Sequence, residues 1–384
     1  MSAGAGEVVA GSGLRPLLSR LARPASIVGL GVLPALVVLL LFVDAVQEDV
    51  AAFDFRVYYD AAEAVLRGDN PYQPLDASDT AVARGYVYPP LTALVAIPLT
   101  IVSPEIAGIL VMALLVAGVL GVLNVLGVRD WRCYGLVLLW PPVISAIQTG
   151  SVTIFLALGA ALVWRFRDRT LVSSASLGTT LAVKTILWPV AVWLAATRRI
   201  AASLLSLAVA LALVFGSWAA IGLTGLADYP DVVRRLQKTV ELDSYTAYVV
   251  ALDAGASPSV ARAVWIALGA ALLVAVVVVA RRGDDRSAFV LAIAAALALT
   301  PIVWLHYFAL LAVVAAVAQP RLGAVWFVPL AMVVTPGSGQ PTPFETSATL
   351  AIAAFTFALA LRAARDVGTS EHAAGPARLE HLAG

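Results

Sequence analysis

Residues 27–43 read IVGLGVLPALVVLLLFV, and shortly after them residues 53–72 read FDFRVYYDAAEAVLRGDNPY. The first stretch is uncharged and apolar over close to the length that crosses a bilayer. The second is the only long polar, acidic block near the start of the chain. Hydrocarbon offers a backbone amide no water, so each segment must pair its own amides. Apolar runs this unbroken do so as helices, not as the alternating strands of a barrel. The remainder of the chain repeats the character of the first stretch: 61% of residues are hydrophobic and 13% charged, with a mean hydropathy of +0.92. Soluble domains carry about 25% charged residues. The expected fold is therefore all-α, a polytopic transmembrane helix bundle.

Charge sets the expected topology. Arg15, Arg20 and Arg23 precede the first run with no acidic residue beside them, which places the N-terminus in the cytoplasm. No Ala-x-Ala cleavage pattern follows the run, and Phe42, Val43 and Asp44 lead straight into the acidic block, so it reads as an uncleaved span after a flexible arm at 1–24. Between Asp44 and Tyr88 nine acidic residues stand against three arginines, which assigns that loop to the outside. Arginines recur at 129 and 132, at 165, 167 and 169, at 198 and 199, at 281, 282 and 286, and at 321, 362 and 365. Placing all of these inside gives about 12 spans, at roughly 25–43, 105–127, 133–148, 150–164, 171–184, 185–197, 200–222, 259–281, 287–304, 306–319, 322–336 and 346–362. The spans shorter than about 20 residues are expected to be broken, tilted or re-entrant, and 91–101 to dip into the outer leaflet without crossing. This membrane domain covers 25–365, with external loops near 44–88, 224–258 and 335–345. A disordered cytoplasmic tail is expected over 366–384.

No internal repeat of the kind found in many secondary transporters is visible. Cys133 is the one cysteine, which excludes an intramolecular disulfide, and no Cys and His spacing suits zinc. No metal, cofactor or nucleic-acid partner is expected.

The acidic block carries the first candidate site. Its apolar and charged residues alternate as in an amphipathic helix on the membrane face, ending at Gly68 with Asn70-Pro71 as the stop. Asp54, at the start of that helix, is either an N-cap or a half-desolvated carboxylate poised to take a proton. Tyr58 and Tyr59 are either interfacial anchors or ligand contacts, and Arg56 either a phosphate contact or a solvated charge. Lys184 is one of only two lysines and lies in the apolar stretch LAVKTILWP, where a charge costs about 3 kcal/mol to insert. It either binds a lipid-linked phosphate or snorkels to the interface. His306, between Trp304, Leu305 and Tyr307, is either structural or a phosphate or sugar contact with the neighbouring rings as a wall. Gln148, in IQTGS, either caps a turn or touches a sugar. Arg234, Arg235 and Lys238 form an external basic cluster, either a solvated loop face or an attractor of anionic headgroups. In the expected topology Asp54, Gln148, Lys184 and His306 all reach the external side from distant parts of the chain, which points to one extracytoplasmic site.

Five blocks, in order, carry a resemblance: DFRVYYDAAEAVLRGDNPY (54–72), YVYPPLTALVAIPL (86–99), IQTGSVTIFLAL (147–158), LAVKTILWPVAVWL (181–194) and LTPIVWLHYFALL (299–311). Together they resemble glycosyltransferase family 87, the polyprenol-phosphate-mannose-dependent mannosyltransferases. The resemblance implies a GT-C type fold, an active site at the extracytoplasmic membrane face, and a first-loop aspartate, matching Asp54, as catalytic base. It implies a lipid-phosphate sugar donor, inversion at the anomeric carbon, and a histidine matching His306. Members of the family often carry a pair of histidines where this chain has His306-Tyr307, and a glycine-rich turn with an extra polar residue where it has Gln148-Thr149-Gly150-Ser151. Asp54-Phe55-Arg56 is not an Asp-x-Asp pair, so no divalent metal is expected. The reading is a mannosyltransferase of the cell membrane moving sugar from a polyprenyl phosphate to a glycolipid or cell-envelope glycan. An arabinofuranosyl- or other pentosyltransferase, and a lipid or sugar-lipid transporter, are the alternatives.

Overall fold

The computed structural model describes residues 24–47, 52–72, 85–335 and 340–373. The N-terminal arm up to residue 23 and the last eleven positions of the expected tail lie outside the described residues. Among the described residues every regular element is helical.

Among the described residues five helices are long and apolar enough to cross a membrane: α1 (Pro24–Gln47), α4 (Pro104–Val125), α10 (Ile200–Ala220), α13 (Pro258–Arg281), and the Pro343–Asp366 part of α17 (Pro343–Ala373). At 1.5 Å per residue each spans more than about 30 Å, the thickness of the hydrocarbon. Their outward rows stay bare, with Leu36, Leu39 and Leu40 on α1, Leu204, Leu207 and Leu211 on α10, and Val260, Val264 and Val274 on α13 all exposed. Rows of this kind face lipid. The helix α17 runs on to Ala373, past the start expected for an unstructured tail.

Shorter helices fill the space between. In chain order these are α2 (Phe53–Arg67), α3 (Leu91–Ile101), α5 (Trp131–Leu138), α6 (Pro141–Thr149), α7 (Thr153–Arg165), α8 (Thr170–Val183) and α9 (Thr185–Ala196). After α10 come α11 (Tyr229–Val240), α12 (Ala247–Asp253), α14 (Asp285–Leu299), α15 (Leu305–Ala318) and α16 (Ala324–Val334). Side chains cap several of them where the sequence places a capper: Ser103 accepts from the Ile106 amide at 3.5 Å, Asp130 from Arg132 at 3.2 Å and Asp284 from Ser287 at 2.9 Å.

The expected twelve spans are divided differently here. Residues 133–148 are two helices, α5 and α6, because Pro141 and Pro142 cannot continue α5 and instead start α6. The pair α6 and α7 bends by 118° at its break, so that with it counted as one span the long apolar helices among the described residues number six at most. The helix α8 covers about 21 Å and cannot cross alone. It rises to Lys184 and α9 returns. The Arg199–Asp168 ion pair at 2.8 Å ties the foot of α9 to the foot of α8, making a helical hairpin with Lys184 at its apex. Asp285 joins the same foot, pairing with Arg167 at 2.9 Å and Arg199 at 3.0 Å, and α14 climbs from there to the turn before His306. Hence the turns at Gly150, Lys184 and His306 gather at one end of the bundle, and the arginine-rich feet at the other.

The expected amphipathic helix forms as α2 and stops at Gly68, whose φ of 78° suits glycine. Its buried side, Phe55, Tyr58, Tyr59, Ala61 and Ala62, packs on α3, α4 and α6, closing the apex end. A second amphipathic helix, α11, buries Val232, Leu236 and Val240 beside Val87, Ile302 and Trp304. On its outer face Arg234 pairs with Asp231.

Candidate active site

A tight approach fixes Asp54. The residue before α2, Ala52, adopts the left-handed conformation with φ 57° and donates its amide to the Gln148 carbonyl at 2.9 Å. Gly150, with φ 70°, makes this possible: a Cβ there would lie 2.8 Å from the Cβ atoms of both Ala52 and Phe55. The IQTGS turn therefore sits directly against the start of α2. Ala52 occupies the cap position, so Asp54 is not the N-cap but a first-turn residue, its side chain 18% exposed.

Around Asp54 stand groups from three other segments. His306 Nε2 lies 3.8 Å from Asp54 Oδ2, beyond hydrogen-bond length. Lys184 Nζ donates to the hydroxyl of Tyr88 at 3.1 Å and to that of Tyr307, and lies 4.1 Å from the centroid of the Tyr307 ring. The Tyr58 ring meets Tyr88 edge-on at 4.9 Å, and Trp304, half-buried, flanks His306 at 5.8 Å between ring centroids. Lys184 thus has phenols, not carboxylates, as its hydrogen-bond partners. Phenols hold the ammonium through hydrogen bonds without forming an ion pair with it.

Burial pushes the Asp54 carboxyl up to about 6, and the Lys184 charge and the Ser151 hydroxyl pull the other way. That value suits a group that accepts a proton near neutrality. Beside Asp54 the hydroxyl of Thr149 turns toward the carboxyl and that of Tyr58 toward Tyr88, whereas the buried His306 Nε2 has no hydrogen-bond partner. A native interior seldom leaves a polar group unpaired, so the free Nε2 of His306 at this place calls for an explanation.

The structure brings together Asp54, Tyr58, Lys184 and His306. Three other sequence candidates are engaged elsewhere: Arg56 is exposed and paired with Glu105 at 3.2 Å, Tyr59 donates to the Val102 carbonyl at 2.9 Å, and Gln148 is exposed, contributing its carbonyl to the Ala52 contact. The sequence reading missed Tyr88 as a holder of Lys184, the second such hydroxyl on Tyr307, and the hydroxyls of Thr149 and Ser151. Their one local signal is position, each lying next to or within a block already singled out. Among the described residues no group of three or more His, Cys, Asp and Glu is arranged to hold a metal ion.

A bundle of long apolar helices with a desolvated carboxylate and a buried lysine at one end defines a membrane-type helical protein with a charged centre at that end. The chain belongs to glycosyltransferase family 87: the sequence model of that family matches residues 86–301, more than half of its length. It is therefore a membrane glycosyltransferase, with a sugar donor and an acceptor as substrates. Tyr88, Gln148 and Lys184 fall inside the matched stretch, and Asp54 and His306 outside it. No curated protein and no solved structure matches the chain.

Proposed function

We propose that this glycosyltransferase, a GT-C type enzyme of the cell membrane, moves mannose from a polyprenyl-phosphate donor to a glycolipid or cell-envelope glycan on the extracytoplasmic side. The observation that carries the reading is the convergence of Asp54, Lys184 and His306, from three distant segments, on one end of the bundle. The arginine-rich feet lie at the other end, and the positive-inside rule supports a cytoplasmic location for them. A site on the outer face has no access to cytosolic nucleotide sugars, which favours a donor carried in the membrane.

In the proposed reaction Asp54 takes the proton of an acceptor hydroxyl as its oxygen attacks the anomeric carbon. The bond from that carbon to the phosphate oxygen breaks, and the electron pair leaves with the polyprenyl phosphate. Lys184 stabilises the charge growing on the phosphate, and His306 Nε2, unpaired and beside Asp54, offers a contact to a sugar or phosphate oxygen. Attack opposite the leaving group inverts the anomeric centre, and a phosphate leaves without a general acid.

The test is to supply purified protein with polyprenol-phosphate-mannose, polyprenol-phosphate-arabinofuranose and a membrane glycolipid extract, and to identify the product by mass. Mannose transfer that disappears in Asp54→Asn is expected. Transfer of the pentose alone would replace the donor assignment, and undiminished transfer by Asp54→Asn would remove the aspartate from the mechanism.

A further inference from the structure

At the end of the bundle opposite Asp54 lies a cavity of about 400 Å³ between the ends of α9 and α13. Thr197, Arg198, Arg199, Arg281, Arg282 and Asp285 line it. Arg199 is held by Asp285 and Asp168. Arg198, Arg281 and Arg282 are exposed and make no ion pair among the described residues, so three arginines line the cavity without an ion-pair partner, its one carboxylate, Asp285, being taken by Arg167 and Arg199. Arg198 sits just past the C-terminus of α9 with φ 66°, a conformation that glycine normally supplies there and that an arginine adopts under strain. Retaining an arginine at that position keeps its guanidinium at the mouth of the cavity.

The surroundings identify the ligand. Both α10 and α13 pack on α9, and from the arginine end their exposed rows are apolar: Leu204 and Leu207 on one, Val277 and Val278 on the other. A cationic cavity flanked by lipid-facing rows fits a molecule with an anionic head and acyl chains. We infer that this cavity is a binding site for the phosphate headgroup of an anionic phospholipid, taken up by Arg198, Arg281 and Arg282. Guanidiniums grip phosphate through paired donors. The length of α8, about 21 Å, separates the cavity from Lys184, so it is distinct from the site proposed for the sugar donor. The inference stands whatever sugar that site transfers.

Its test uses full-length protein in a non-ionic detergent, titrated in parallel with dioleoyl-phosphatidylglycerol, dioleoyl-phosphatidylcholine and inorganic phosphate, with adducts counted by native mass spectrometry. Phosphatidylglycerol is expected to bind at least about tenfold more tightly than phosphatidylcholine, with inorganic phosphate failing to compete at equal concentration. The triple variant Arg198→Gln, Arg281→Gln, Arg282→Gln should lose at least about tenfold in phosphatidylglycerol affinity, and the matching lysine variant, which keeps the charge and loses the paired donors, should fall between. Equal binding of the two lipids, competition by inorganic phosphate, or an unchanged affinity in the glutamine variant would each overturn the assignment. If the glutamine variant does not fold, the three titrations of the unaltered protein still decide it.

Discussion

Asp54 sets the pH dependence that the proposed chemistry must show. A general base works deprotonated, and burial raises this carboxyl to about 6. The rate kcat/KM should therefore climb with pH, about tenfold per unit below 6, and flatten above it. A profile still flat well below pH 6 would mean that another group takes the proton. At Lys184 the consequence is a loss of leaving-group stabilisation. Lys184→Met, which suits the apolar surroundings, should lower kcat by on the order of 10²- to 10³-fold, and Tyr307→Phe, which removes one of two phenolic partners, by roughly tenfold, the worth of one hydrogen bond to a charged group. Steady-state kinetics on membranes containing each variant reads both, and a Lys184→Met enzyme with normal kcat would leave the lysine a structural role. At this scale Lys184 was legible because a lysine in apolar sequence needs a reason, whereas Asp54, one acid among several in a polar block, was left between a cap and a base by the residues alone. Tyr88 and Tyr307 were not legible, since a tyrosine near a membrane surface already has a reason as an anchor. Only the fold brings both hydroxyls to one ammonium.

Among the elements, the contact between the IQTGS turn and α2 decides whether Asp54 is presented at all. Gly150 and Gly68 both have positive φ, 70° and 78°, yet the space around them differs. A Cβ at Gly68 meets nothing within 4 Å, whereas one at Gly150 falls 2.8 Å from Ala52 and Phe55. Gly68→Ala should cost only the left-handed backbone penalty, about 1 kcal/mol. Gly150→Ala adds overpacking of about 1–3 kcal/mol and pushes Asp54 away from His306, so activity should fall further than stability. Thermal unfolding in detergent alongside turnover separates the two effects; equal behaviour of the variants would show that the turn does not position the carboxylate. Sequence located α2 and its stop at Gly68 because periodicity, glycine and Asn70-Pro71 agree. It treated 133–148 and 150–164 as separate crossings because hydrophobicity alone does not tell a helix that crosses from one that enters and turns back. The proline pair at 141–142 and the lengths of α6 and α8 carry that difference.

For the whole molecule, the all-helical, membrane-type character was legible in composition, since 61% hydrophobic residues with so few charges leave no soluble alternative. What composition leaves open is direction, and the donor proposal depends on it: a site facing the cytoplasm would have nucleotide sugars at hand and no need of a lipid carrier. The ends of the bundle differ in charge in a way that makes direction measurable. Asp69, exposed just beyond α2, belongs to the end that holds Asp54, and Arg282, exposed beyond α13, to the arginine end. Cys133 is the sole cysteine in the chain and is fully buried, so a cysteine added at either place reports by itself. In intact cells treated with a membrane-impermeant maleimide, Asp69→Cys should be labelled at once and Arg282→Cys only after the membrane is opened. The positive-inside rule drives this expectation, because the feet of α8, α9 and α14 gather arginine while the block from Asp44 to Tyr88 gathers acid. The reverse pattern would turn the end that holds Asp54 toward the cytoplasm and, with it, make a soluble activated sugar the donor to test first.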